Sequence, residues 1–337
     1  WKIAAGAWLA QGQLLGELSL KMLQVAEKLY TFIVGAINSL FLGKETEVQS
    51  SCFEVNIENN IAHIILNRPE KRNSMIPEFW DDLPRIVKQI EAGSLARVIV
   101  ISSTGPHFTS GIDTSILGSS KEQGTDSEGI EKFNRQQGAK FYDTVKYLQR
   151  TFSCIDECKV PVLAAIQGGA IGGGVDLITS CDMRYMTSDG FLTIFEINIG
   201  MTADVGTFPR ITKLLPEGIV KELAYTGRRM EAAEAKSLGI VNEVYSDHAT
   251  MLQEVMKIAA AIASKAPLAV YGSKRIINYA RDHSTADTLD YIGIWNASML
   301  QQSEIKEAIT AAGEKRKADF VDLPVARKKM SGGLTDQ

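Results

Sequence analysis

The run PVLAAIQGGAIGGGVDLITSCDM, starting at Pro161, limits what this chain can fold into more than any other stretch. Its first part, VLAAI, is continuously apolar and bounded by Pro and Gly. That is the pattern of a strand covered on both faces, and it calls for a sheet with helices packed on it. Five glycines follow between positions 168 and 174, and an apolar helical segment then opens with one carboxylate, Asp176. At a helix start the first backbone N–H groups have no intrahelical acceptor, and the dipole favours negative charge. Glycines there either let the helix lie close on the sheet or let a ligand reach bare backbone, and the run alone does not choose between these.

The flanking sequence alternates strands and helices. FEVNIENNIAHIILN alternates apolar and polar residues on both sides of Glu58-Asn59-Asn60, which predicts a β-hairpin. RPEKRNSM reads as a loop, IPEFWDDLPRIVKQIEAG as a helix ending at Gly93, and ARVIVISS as a buried strand. KFNRQQGAKFYDTVKYLQRTFSCIDECK reads as one long helix, and the glycine run is expected to open a helix straight after its strand. MRYMTSD and FLTIFE read as short strands, and nearly everything after residue 215 as helix. The expected class is α/β, with repeated β-β-α units forming a sheet core over 51–248. A helical C-terminal region over 249–320 and a tail over 321–337 follow, and an apolar helical extension and linker over 1–50 precedes the core.

Composition narrows the function. A chain of 337 residues, 45% hydrophobic and 23% charged, buries a substantial core, and a net charge of −4 supplies no basic field for nucleic acid or an anionic membrane. The uncharged runs in the first 45 residues fall short of the ~18 to 20 apolar residues of a membrane span, so helices and no span are expected there. Cysteines 52, 154, 158 and 181 form neither a disulfide framework nor a zinc spacing, which makes Cys154 and Cys158 core residues and the compartment reducing. The first arginine is Arg68, which counts against an Arg-rich mitochondrial presequence.

The glycine run, together with HFTSGID, RPEKRNSM, AYTGRRMEAAEAKSLGIVNEV and ASKAPLAVYGSKRIINYARDHSTADTLDYIGIWNASML, resembles the enoyl-CoA hydratase/isomerase (crotonase) superfamily over roughly residues 52–315. The resemblance implies the ClpP/crotonase-like fold, an acyl-CoA thioester substrate, and backbone donors for the oxygen of an enolate-like intermediate. Carried onto this chain, those donors are the N–H groups of Ile112 and Gly173, with Gly172 and Gly174 clearing space. The loop around Lys71, Arg72, Asn73 and Ser74, and the segment Ser110, Gly111 and Asp113, are the implied coenzyme A contacts. Lys71, Arg72 and Lys274 are candidates for charge near its phosphates.

Acid/base groups in this superfamily occupy three recurrent points, which here read Asp176, Glu196 and Asp204. A hydratase would carry two glutamates and then an uncharged loop. The present set resembles the branch that moves a conjugated pair of double bonds from 3,5 to 2,4, taking a proton from C2 and delivering one at C6. Two carboxylates with separated pKa values suit that task. Asp204 is assigned as base at C2, Glu196 as acid at C6, and Asp176 as the neighbour that tunes them. Taken singly, Asp176 reads equally as a helix-dipole charge, Glu196 as the partner of a surface cation and Asp204 as a turn cap.

The resemblance implies a fatty-acid β-oxidation isomerase needing no cofactor and no metal. The alternatives are an enoyl-CoA hydratase, or a non-catalytic or RNA-binding member of the fold. It also implies a homotrimer or homohexamer with contacts near TLDYIGIWNASMLQQ. His107 is read as a loop residue and Asp182 as structural. A mitochondrial matrix location is expected, with the peroxisome as alternative because GGLTDQ is not a Ser-Lys-Leu ending.

Overall fold

A computed structural model describes residues 50–113 and 127–326. The expected extension over 1–50 lies almost wholly outside them. The hairpin forms as read: β1 (Phe53–Glu58) pairs antiparallel with β2 (Ile61–Leu66). Asn59 and Asn60 turn the chain with φ of 52° and 64°, the left-handed pair that a two-residue hairpin requires and asparagine tolerates. A short 3-10 turn (Pro69–Lys71) interrupts the predicted loop, followed by α1 (Pro77–Ala92), β3 (Val98–Ser103), α2 (Ser127–Glu157) and β4 (Val162–Ile166). Both β3 and β4 are buried at every position, as their apolar runs VIVI and VLAAI demand, and Ser102 and Ser103 at the end of β3 are buried with them.

Beyond β4 the chain departs from the expected order. The glycine run does not enter a helix at once. It first makes β5 (Gly169–Ile171), then α3 (Gly173–Ser180). β6 (Met183–Thr187) is as read, but FLTIFE divides into β7 (Phe191–Thr193) and a 3-10 turn (Phe195–Ile199), so Glu196 leaves the strand. α4 (Thr207–Ile211) and α5 (Glu217–Thr226) follow. Past residue 215 the chain is not purely helical: β8 (Met230–Glu231) and β9 (Glu243–Tyr245) flank α6 (Ala232–Ser237). These strands are too short to register as a periodic pattern, and only their partners make them strands.

Two sheets result. The larger has the order β1-β2-β3-β4-β6-β9, parallel from β2 onward, and the smaller has the order β5-β7-β8. The chain steps from the large sheet to the small one between β4 and β5, and again between β6 and β7, so each step places a loop at the same end of the molecule. Behind the large sheet lies α7 (His248–Ala263). Its Met251, Val255, Ala259 and Ala263 recur every fourth residue and pack on Val98, Val100, Leu163, Ala165 and Tyr185. On α1 and α2 the rings of Phe79, Trp80 and Phe152 pack edge to face, with centroids 5.5 Å apart for Trp80 and Phe152.

α8 (Pro267–Ala280), α9 (Thr285–Met299) and α10 (Gln302–Glu314) complete the described helices. The tail then returns to the core: Arg97 binds Asp322 and the Phe320 carbonyl, and the Ala326 N–H donates to Ala92 O at 2.7 Å. All four cysteines are free thiols, three of them buried.

Candidate active site

The site lies where the two sheets part. Residues 109–112 run beside β5, with Thr109 N–H donating to Gly169 O and Ile171 N–H donating to Thr109 O, both at 3.1 Å. On its other side this segment is bridged to Met75, whose N–H donates to Gly111 O at 2.9 Å. Gly111 therefore arrives with φ of 83° against the end of β5, where a Cβ would lie 2.7 Å from Ile171 O and 3.5 Å from Gly173 N. Only glycine permits that approach. Among the described residues, neither the Ile112 N–H nor the Gly173 N–H has an acceptor. Two unpartnered donors brought together at a helix start are what an oxyanion needs.

Three glycines of the run divide the work. Gly172 has φ of 54°, and a Cβ there would lie 3.2 Å from Glu196 Oε1. Its bareness admits the carboxylate of the 3-10 turn to the residue next to the Gly173 donor. Gly173 faces Met75 Sδ. Gly174 corrects the expectation that it clears room for substrate: its absent side chain is replaced by Thr109 Cγ2, 2.7 Å from where a Cβ would sit, so it serves helix packing.

Burial governs the three carboxylates. Asp176 is completely buried in the first turn of α3, with Oδ1 accepting the Thr207 N–H at 2.6 Å and Oδ2 without a partner. Burial pushes its pKa up to about 6, against the lowering effect of Thr207 and Arg210. Glu196, also with an unpartnered buried oxygen, is pushed up to about 7 by burial and then by the charge of Asp176, with Asp204 adding to it. Asp204 is held above the usual carboxylate range by burial. It lines a cavity of about 670 Å³ together with Gln149, Ser153, Asp156 and Arg210. The surface-cation reading of Glu196 fails, since no cation neighbours it among the described residues.

The candidate coenzyme A loops sit as neighbours. Asn73, also in the left-handed region, is buried, and its side chain donates to Thr104 O and His107 O and accepts from Arg68 N–H, so it builds the loop. Ser74 Oγ donates to Asp113 Oδ2 at 2.9 Å, and Ser110 N–H donates to Arg72 O at 2.9 Å. Lys71 and Arg72 are exposed on this rim. Lys274 is a correction: it is buried, pairs with Asp182 at 2.9 Å, and donates to Ile155 O and Val160 O, so it is not available to a phosphate. Asp182 is structural as expected, accepting the Val162 N–H as well. His107 Nδ1 accepts the Gly169 N–H at 3.0 Å and braces β5, the part expected of a loop residue. Thr207, Arg210 and Gln149 escaped sequence reading, because nothing local marks a residue whose partner lies 31 or more positions away.

The model of one family, Enoyl-CoA hydratase/isomerase, matches residues 56–323. The chain belongs to the enoyl-CoA hydratase/isomerase family. Within this family, the mouse protein named Delta(3,5)-Delta(2,4)-dienoyl-CoA isomerase, mitochondrial, is 43% identical over 262 residues, 77% of this chain and 78% of its own length. The Arabidopsis thaliana protein of the same name, peroxisomal, is 36% identical over 268 residues, 80% of this chain and 95% of its own. A family member of known structure, a putative enoyl-CoA hydratase from Thermobifida fusca in complex with acetoacetyl-CoA, superposes with a TM-score of 0.66 at 26% identity. That superposition covers 74% of this chain and 95% of the other. Among the described residues no cluster of potential metal ligands occurs and no single helix is long and apolar enough to cross a membrane.

Proposed function

We propose that the chain is an isomerase that converts 3,5-dienoyl-CoA to 2,4-dienoyl-CoA. The observation that carries the reading is the third carboxylate: Asp204 stands on a turn tied through Thr207 to Asp176, while Glu196 stands beside the oxyanion donors. The names of the mouse and Arabidopsis relatives support it. The thioester oxygen is taken by the Ile112 and Gly173 N–H groups, and the acyl-CoA rests on the loops at 71–74 and 110–113.

The geometry favours the reverse of the sequence assignment of roles. C2 is bonded to the carbonyl carbon, and the carboxylate next to the Gly173 donor is Glu196, not Asp204. In this reading Glu196 removes the C2 proton, the charge spreads along the conjugated chain to the oxygen in the hole, and Asp204 delivers a proton to C6. Asp176 raises the pKa of Glu196 and anchors the Asp204 turn. Proton transfer of this kind calls on neither metal nor redox cofactor. We also propose a homotrimer or homohexamer and a location in the mitochondrial matrix; the mouse relative's name supports the mitochondrion, and the Arabidopsis relative's name the peroxisome as alternative.

The test is purified protein assayed side by side with 3,5-dienoyl-CoA and 2-enoyl-CoA. Formation of the 2,4-dienoyl product with little water addition is expected, and dominant hydration would point to a lyase instead. In deuterated water Asp204→Asn should lose about 10²- to 10⁴-fold in isomerisation yet still exchange the C2 proton through Glu196. Exchange retained instead by Glu196→Gln and lost in Asp204→Asn would restore Asp204 as the C2 base.

A further inference from the structure

We infer that Arg210 is a positioning residue for this reaction: it clamps the turn carrying Asp204 and Thr207 against one face of α2. The inference rests on the isomerase reading above. Gln149, Ser153 and Asp156 follow one another at intervals of four and three along α2, so their side chains share one face. Gln149 Nε2 donates to Asp204 O at 2.8 Å. Arg210 Nη2 donates to Ser153 Oγ at 3.2 Å, and Nε pairs with Asp156 Oδ2 at 3.0 Å. From the same guanidinium, Nη1 reaches back to Gly206 O at 3.4 Å.

Gly206 has φ of 133°, and a Cβ there would run into the Arg210 guanidinium, so the turn and the arginine are shaped to each other. The next N–H, that of Thr207, is the one held by buried Asp176. One arginine thus spans the stretch between two of the three carboxylates. Its own anchor, Asp156, is fixed in turn by Arg281 at 2.8 Å and by Asn278, which donates to the Asp156 carbonyl at 3.0 Å. The guanidinium is mostly covered, with 13% of its side chain exposed, so the brace is not a mobile surface pair.

The fork geometry is what the task requires. Lysine would keep the charge but, as a single point of donation, would not hold Asp156, Ser153 and Gly206 together. Displacing the turn by a fraction of an ångström moves Asp204 relative to C6 while leaving the oxyanion donors and the coenzyme A rim in place. The effect therefore belongs in turnover and not in binding.

The experiment uses the full chain with Arg210→Gln, Asp156→Asn, the double variant and Arg210→Lys. Arg210→Gln is expected to lower kcat on 3,5-dienoyl-CoA about 10- to 100-fold with KM changed by less than about twofold. Asp156→Asn should do nearly the same, the double variant should be no worse than the more affected single, and Arg210→Lys should recover only part of the loss. A pair that merely stabilises the fold would lower the melting temperature and leave kcat intact well below it, and that result overturns the proposal. Losses that multiply in the double variant overturn it as well.

Backbone hydrogen–deuterium exchange over residues 203–210 reads the clamp without chemistry. Faster exchange in Arg210→Gln than in the parent supports it, and unchanged protection overturns it. If the parent protein does not isomerise the dienoyl substrate but the exchange result holds, the isomerase reading falls and the clamp stands.

Discussion

At the scale of single residues, the decisive property is how few partners the carboxylates have. A carboxylate hidden from water without a cation holds its proton to a higher pH than usual, because burial penalises the charged form and a neighbouring carboxylate adds repulsion. Glu196 reaches about 7 and Asp176 about 6, both with burial as the leading cause. A reaction that removes one proton and delivers another needs one proton within the cluster, whichever oxygen carries it at a given moment. With pH rising through about 7 that last proton leaves, no acid remains, and kcat/KM is expected to fall. Asp176→Asn keeps an acceptor for the Thr207 N–H but removes a like charge from Glu196, so the alkaline fall should move to lower pH. A pH–rate profile of both proteins checks this, and a fall that stays put or moves upward would contradict the coupling.

At the scale of elements, the site is built where the chain leaves β5 and where it leaves the 3-10 turn after β7, and the glycines at those two exits carry different burdens. Gly172 and Gly200 both have positive φ, 54° and 74°, but only Gly200 is left-handed helical, Gly172 lying at ψ of −117°, and only Gly172 has a neighbour, the Glu196 carboxylate. Alanine at either position incurs backbone strain on the order of 1 kcal/mol or more. Gly172→Ala must in addition displace Glu196 from beside the oxyanion donors. Its kcat should therefore fall well beyond that of Gly200→Ala when both are assayed below their melting temperatures. Paired melting curves and kinetics measure the difference, and equal kinetic effects would mean that the Gly172 contact is incidental.

At the scale of the whole molecule, the C-terminal helices leave apolar surface uncovered. Within α9 only Thr288 is buried, while Leu289 is 63% and Ile294 57% exposed, and Ile309 on α10 is 69% exposed. Large apolar side chains exposed on two successive helices suit association, and a second copy of the chain is the occupant proposed above. Light scattering is expected to give three or six times the 36.9 kDa of one chain. Leu289→Glu combined with Ile294→Glu should lower that mass with the circular dichroism spectrum retained. A wild-type monomer at micromolar concentration would refute the assembly.

Short-range pattern determined much by itself. The alternation around Asn59 and Asn60 specified the hairpin, the unbroken apolar runs specified β3 and β4, and the order of motifs specified the family. Asp176, Glu196 and Asp204 were singled out only through the family resemblance, since each taken alone reads equally as a dipole charge, a surface ion pair or a turn cap. Tertiary structure alone decided what those residues face. Whether Gly174 serves packing, whether Lys274 is free for a phosphate, which carboxylate adjoins the oxyanion donors, and that Arg210 holds the Asp204 turn are all relations between segments distant in the chain. Periodicity reports only which side of an element is buried. The partner across the gap is set by how the strands step from one sheet to the other, and that is a property of the packed molecule.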